Sequence, residues 1–114
     1  MISTHVLDTA RGRPAAGVPV ALELIADAVS GEAREIARAT TDDDGRVREL
    51  VPASATLVAG DYRLTFDTRA YFAAGGAEAF YPLVHVDFTV RDPAEHHHVP
   101  LLLSPFGYST YRGS

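Results

Sequence analysis

The chain contains no cysteine, which excludes disulfides, zinc–thiolate sites and thiol nucleophiles and suits a reducing compartment. Basic charge is not in excess either. Ten Arg and Lys side chains against fifteen Asp and Glu give a net charge of −5, which disfavours nucleic acid or an anionic membrane as the main partner. No apolar run approaches the roughly 18–20 residues that span a bilayer. The opening Met1-Ile2-Ser3-Thr4-His5-Val6 lacks the basic and apolar regions of a signal peptide, and there is no peroxisomal Ser-Lys-Leu address. A soluble, cytoplasmic protein is expected. Glycine fingerprints for nucleotides, the P-loop, the His-Glu-x-x-His zinc helix and the Gly-x-Ser-x-Gly elbow are all missing. So are internal repeats, linkers and low-complexity tracts.

What remains is an ordinary globular composition, 46% hydrophobic and 22% charged over 114 residues. That is enough chain to bury a core as one domain, residues 1–114. The dominant period is two. In Ile2 to Asp8, the residues Ile2, Thr4, Val6 and Asp8 share one face and Ser3, His5 and Leu7 the other. Val18, Val20, Leu22, Leu24 and Ala26 alternate in a second strand, and residues 35–41 read as a third. Tyr62, Leu64 and Phe66 mark one face of the cleanest strand. Residues 84–90, 96–103 and 108–112 are further strands. Arg11 to Gly17 reads as a loop, and Asp42-Asp43-Asp44-Gly45 as a tight turn. Residues 68–75 suggest one short helix with a Thr68 cap and a Gly75 stop. Seven or eight short strands with one helix indicate an all-β sandwich.

Five histidines are the first candidates for chemistry. On a strand, His96 and His98 project to one face and His97 to the other. Two imidazoles with no Cys or acidic partner at suitable spacing do not make a closed metal site, so no metal is expected. His5 gains weight only if the fold brings it near His98; histidine is the usual general base near neutral pH. His85 alternates with Val84 and Val86 and reads as packing or surface. Arg46 has two readings: a solvated turn arginine neutralising its acidic neighbours, or a planar donor fork aimed at an oxyanion. The acidic turn lacks the downstream Glu and flanking helices of an EF-hand. The residues alone give a β-sandwich with a possible histidine site.

Ser3-Thr4-His5-Val6-Leu7-Asp8, Gly12-Arg13-Pro14-Ala15, Thr41 to Arg46, Gly60-Asp61-Tyr62-Arg63, Tyr81-Pro82 and His98 to Ser114 together resemble the transthyretin-like 5-hydroxyisourate hydrolases. The likeness covers essentially the whole chain. Its specific element is Tyr111-Arg112-Gly113-Ser114, which separates these hydrolases from transthyretin proper. The resemblance implies a prealbumin-like sandwich of two four-stranded sheets with one short helix, assembled as a homotetramer, a dimer of dimers. It implies hydrolysis of 5-hydroxyisourate to 2-oxo-4-hydroxy-4-carboxy-5-ureidoimidazoline in urate degradation, with no cofactor.

Carried over by motif, the resemblance implies His5, Arg46, His98 and Ser114 as catalytic residues, and His5, Arg46, Tyr111, Arg112 and Gly113 as substrate contacts. His98 is favoured as base, with His5 orienting or sharing the proton and Arg46 stabilising negative charge. Tyr111 and Arg112 are expected to shape the pocket, and Gly113 to let the backbone pass close to substrate. Ser114 is expected to supply a hydroxyl and the terminal carboxylate, so that residues appended after it impair hydrolysis more than folding. Family members commonly carry Tyr where this chain has His97, a position expected to face away from the chemistry. Asp43 and Asp44 stand close enough to compete for the charge of Arg46. The alternatives are a transthyretin-like small-molecule carrier, which needs an apolar channel, and a structural sandwich, in which these groups do not converge.

Overall fold

Alternation of apolar and polar residues sets the strand faces, and the computed structural model, which describes residues 1–114, shows how they stack. The order is β1 (Ile2–Asp8), β2 (Arg13–Pro14), β3 (Pro19–Asp27), β4 (Arg34–Thr40), β5 (Arg46–Val47), β6 (Gly60–Phe66), α1 (Thr68–Ala74), β7 (Val84–Val90), β8 (His97–Ser104) and β9 (Gly107–Thr110). One sheet runs β4-β3-β6-β7, antiparallel throughout. The other runs β2-β1-β8-β9, with β5 also on β1.

The second sheet therefore has five strands where four were expected. The free edge of β1 is shared by two short strands. β5 pairs at Thr4 and His5, and β2 pairs farther along at Leu7 and Asp8. On its other edge β1 runs parallel to β8, with Ser3 opposite His98 and His5 opposite Pro100. Arg13–Pro14, read as loop from its Gly and Pro content, is one of these edge strands. Two residues show no period, so neither short strand is visible as a pattern.

The inward faces meet in one core. Ile2 and Val6 of β1 and Leu101 and Leu103 of β8 face Leu22 and Leu24 of β3 and Tyr62, Leu64 and Phe66 of β6, all buried. Each such side chain contributes roughly 1.5–3 kcal/mol on burial. The phenol of Tyr62 reaches the core without an orphaned polar atom, because its hydroxyl donates to Val58 O at 2.6 Å. The inward face of β1 is the one that carries Ile2, Thr4, Val6 and Asp8, with Thr4 and Asp8 at 1% exposure.

Two local expectations shift. Helix α1 is capped by Asp67, whose carboxylate accepts from Ala70 N at 3.0 Å. Thr68 is instead buried, and its hydroxyl donates to Tyr81 O. The terminal strand ends at Thr110, two residues before the expected Arg112. The chain then leaves the sheet and returns as a single bridge between Gly113 and His98.

Gly45 closes the acidic turn at φ 75°, a conformation that costs a side chain about 1 kcal/mol or more. A Cβ there also runs into the carbonyl oxygen of Val6. Gly45→Ala is expected to destabilise the fold by a few kcal/mol, on the order of a strained substitution. A denaturant midpoint equal to that of the native chain would refute this.

Candidate active site

β1 is the spine of the site. Its outward residues Ser3 and His5 stand beside His98 of β8 on one edge and Arg46 of β5 on the other, because cross-strand neighbours share a face. His96 sits two residues before His98, on the same side. The Ser3 hydroxyl lies 2.8 Å from His96 Nε2 and 2.8 Å from His98 Nδ1. The imidazole centroids of His96 and His98 are 6.3 Å apart.

The returning chain fixes the other flank of His98. Gly113 N donates to His98 O at 2.8 Å. A Cβ at Gly113 falls 2.5 Å from His98 Cδ2 and 3.2 Å from Pro100 Cγ. Only glycine lets the backbone lie this close to the ring. With Nδ1 taken by Ser3 and the Cδ2 edge covered by Gly113, the Nε2–Cε1 edge of His98 is the open one. Gly113→Ala is expected to displace the imidazole and cut activity by about tenfold or more, since small misplacements of catalytic groups are costly. Steady-state kinetics and a melting curve check this; unchanged turnover would show that the close approach is unimportant.

A hollow of about 420 Å³ is lined by Ser3, Arg46, His96, His98 and Ser114. Arg46 is half-buried, and none of the ion pairs includes it. Two acids of its turn, Asp42 and Asp44, are engaged elsewhere, and Asp43 makes no ion pair with it. Asp42 accepts from the backbone N–H groups of Asp44 and Arg46, both at 2.9 Å, and these bonds hold its carboxyl below the usual range. Asp44 lies 3.8 Å from Arg48. The Arg46 guanidinium is thus available to a ligand.

Burial pushes the pKa of His98 below the ordinary 6.5, and the positive charge of Arg46, then the nearness of His96 and His5, pushes it the same way. His98 is therefore neutral at neutral pH, with a lone pair to offer. His97 faces away from His96 and His98 as expected; it turns inward and is 5% exposed. Burial, then Arg112, lowers its pKa, and its Nδ1 has no hydrogen-bond partner.

The structure thus brings Arg46, His98 and Ser114 around one hollow, with His5 beside Arg46 and Gly113 against His98. Tyr111 and Arg112 line a separate hollow of about 340 Å³ on the far side of His98. Arg112 there pairs with Glu95 at 2.9 Å. His85 is exposed on the other sheet, bonded to Thr65. No three His, Cys, Asp or Glu side chains form a metal-holding group. The largest hollow, about 590 Å³, lies on that other sheet among Glu23, Glu35, Arg38 and Thr65, and holds no histidine. Ser3 escaped the sequence reading; the only signal for it was its place on the same face as His5.

Comparison with known proteins places the whole chain in a wider setting. The model of the HIUase/Transthyretin family matches residues 2–113. A probable 5-hydroxyisourate hydrolase of Caenorhabditis elegans is 48% identical over 113 residues, covering 99% of this chain and 81% of the relative. The structure of Klebsiella pneumoniae 5-hydroxyisourate hydrolase superposes with a TM-score of 0.82 at 41% identity, covering 99% of this chain and 98% of that one. Sea bream transthyretin in complex with thyroxine gives a TM-score of 0.85 at 32% identity, covering 98% and 93%.

Proposed function

The chain belongs to the HIUase/transthyretin family, and we propose that it hydrolyses 5-hydroxyisourate to 2-oxo-4-hydroxy-4-carboxy-5-ureidoimidazoline within urate degradation. The observation that carries this reading is the polar hollow in which an unpaired Arg46 and a neutral His98 face one small-molecule-sized space.

Neutral His98 accepts a proton at Nε2 from water as the water oxygen attacks a ring carbonyl carbon. The carbonyl oxygen takes up negative charge, and the Arg46 fork donates to it. The tetrahedral species collapses with cleavage of the C–N bond. The proton on His98 passes to the leaving nitrogen, and the new carboxyl group carries the oxygen of water. His5, beside Arg46, orients the substrate, and Ser114 closes the hollow from the returning chain. Tyr111 and Arg112 act at one remove, by holding Gly113 against His98. These steps call for water and no cofactor.

The carrier reading draws on the thyroxine-bound transthyretin neighbour. Here the hollow is bounded by Arg46, Arg48, Glu49, His96 and His98, a poor match for an apolar hormone. Substoichiometric protein separates the two. A hydrolase converts the whole substrate pool to a product heavier by one water, whereas a carrier leaves all but its bound fraction to spontaneous decay.

Residues 1–114 act as one domain within a homotetramer, a dimer of dimers. Support comes from β7 and β9, each the last strand of its sheet, since unpaired edges invite pairing with a second copy. Exposed aromatics lie near these edges, Phe80 at 67%, Phe106 at 71% and Tyr108 at 43%, with Tyr81 packed edge-on to Tyr108. Sedimentation at four times the 12.2 kDa chain mass is the expected result, and a monomer at working concentration the contrary one. No helix is long and apolar enough to cross a membrane. The cytoplasm is the proposed location, supported by the cysteine-free composition.

A further inference from the structure

Ser3 is 5% exposed although it belongs to the outward face of β1, with one imidazole bonded on each side. The parallel register places it opposite His98, so His98 Nδ1 and His96 Nε2 converge on a single hydroxyl. A hydroxyl has one proton to give and two lone pairs with which to accept. It can donate to only one of the two rings.

Which ring receives that proton determines the tautomer of His98, because the hydrogen bond at one imidazole nitrogen sets which nitrogen carries the proton. If Ser3 donates to His98 Nδ1, the proton of neutral His98 sits on Nε2 and the open edge has no lone pair. If Ser3 accepts from His98 Nδ1–H, the lone pair is on Nε2. Two features favour the second arrangement. Arg46 lines the same hollow as His98, and a guanidinium favours a lone pair facing the hollow over another N–H. His96 is exposed, so water can satisfy its Nδ1–H while its Nε2 takes the Ser3 proton.

We propose that Ser3 is a positioning residue that accepts from His98 Nδ1–H and donates to His96 Nε2, holding His98 in the tautomer whose Nε2 lone pair faces the hollow. The consequence for rate rests on the hydrolase reading above; the tautomer does not. When His98 takes a proton from water, the Nδ1–H bond to Ser3 becomes charge-assisted and strengthens. Ser3 thereby favours the protonated state of the base formed during attack. Family resemblance gave this serine no role, and His96 now acquires one as the acceptor that keeps the Ser3 hydroxyl turned away from His98.

The experiment uses the full chain with ¹⁵N-labelled histidine, near pH 8, above the ordinary imidazole range. Two-bond proton–nitrogen correlations report which nitrogen of each ring is protonated. The native His98 is expected to show a protonated Nδ1 and a bare Nε2. In Ser3→Ala it is expected to move toward the Nε2–H form, with kcat down by about tenfold, the scale of one lost orienting hydrogen bond, and KM little changed. Ser3→Thr, which keeps the hydroxyl, is expected to restore both the spectrum and kcat. A native His98 protonated at Nε2, or a Ser3→Ala spectrum identical to the native one, overturns the assignment. The expected native spectrum without turnover of 5-hydroxyisourate supports the Ser3 hydrogen bond and removes the hydrolase reading instead.

Discussion

Replacing His98 with Asn is expected to lower turnover by about 10²–10⁴-fold, the usual contribution of a general base, with folding and assembly retained. The Asn amide occupies the near half of the imidazole and can keep a polar contact to Ser3, but nothing replaces Nε2. Little electrostatic stabilisation is lost near neutral pH, since burial and neighbouring charge keep His98 neutral there. The same shift fixes the pH behaviour of the native protein. A base with a depressed pKa stays active below pH 6.5, so the acid limb of kcat/KM is expected below that ordinary value. The linkage has the same sign. A neutral-preferring His98 contributes stability that is present above the unfolded pKa of 6.5 and lost as pH falls through its lower folded value. Steady-state kinetics with parallel sedimentation test the substitution. Near-native turnover in His98→Asn would move the base elsewhere, with His5 the next candidate, and loss of assembly would make His98 structural.

Arg46→Gln is expected to reduce kcat/KM by about 10²–10³-fold, on the scale of a missing oxyanion donor. It is also expected to raise the pKa of His98, because the Arg46 charge is the second cause of its depression after burial. The acid limb therefore moves up toward 6.5. These two changes come from one side chain, so they should appear together. Stability should barely alter: the contacts of Arg46 within its turn are made by backbone N–H and C=O, which glutamine keeps. Arg46→Lys should rescue the pKa shift but not the rate, since a point charge replaces the field and not the planar fork. A variant whose rate falls while the acid limb stays fixed would separate Arg46 from His98 and contradict their placement around one hollow.

Period two made the core legible from sequence. Tyr62, Leu64 and Phe66 are buried where alternation puts them, and His96 and His98 share a face while His97 turns inward. The convergence was not legible from that pattern. Ser3 and His98 meet because β1 and β8 run parallel in one register, and alternation within a strand cannot say which strand lies beside it. Resemblance named His5, Arg46, His98 and Ser114 together with Tyr111 and Arg112; Arg46, His98 and Ser114 line one hollow, His5 stands beside Arg46, and Tyr111 and Arg112 line the second hollow. The two-residue strands β2 and β5 have too few residues to show a period, although β5 is what sets Arg46 beside His5. Asp67 takes the helix cap expected of Thr68, because Thr68 is drawn inward by Tyr81 O.

The most direct test follows the absorbance of 5-hydroxyisourate as urate oxidase generates it from urate, with increasing amounts of the protein. A decay rate that rises in proportion to protein and saturates with substrate is expected. Decay at the spontaneous rate at every protein concentration would contradict the hydrolase assignment.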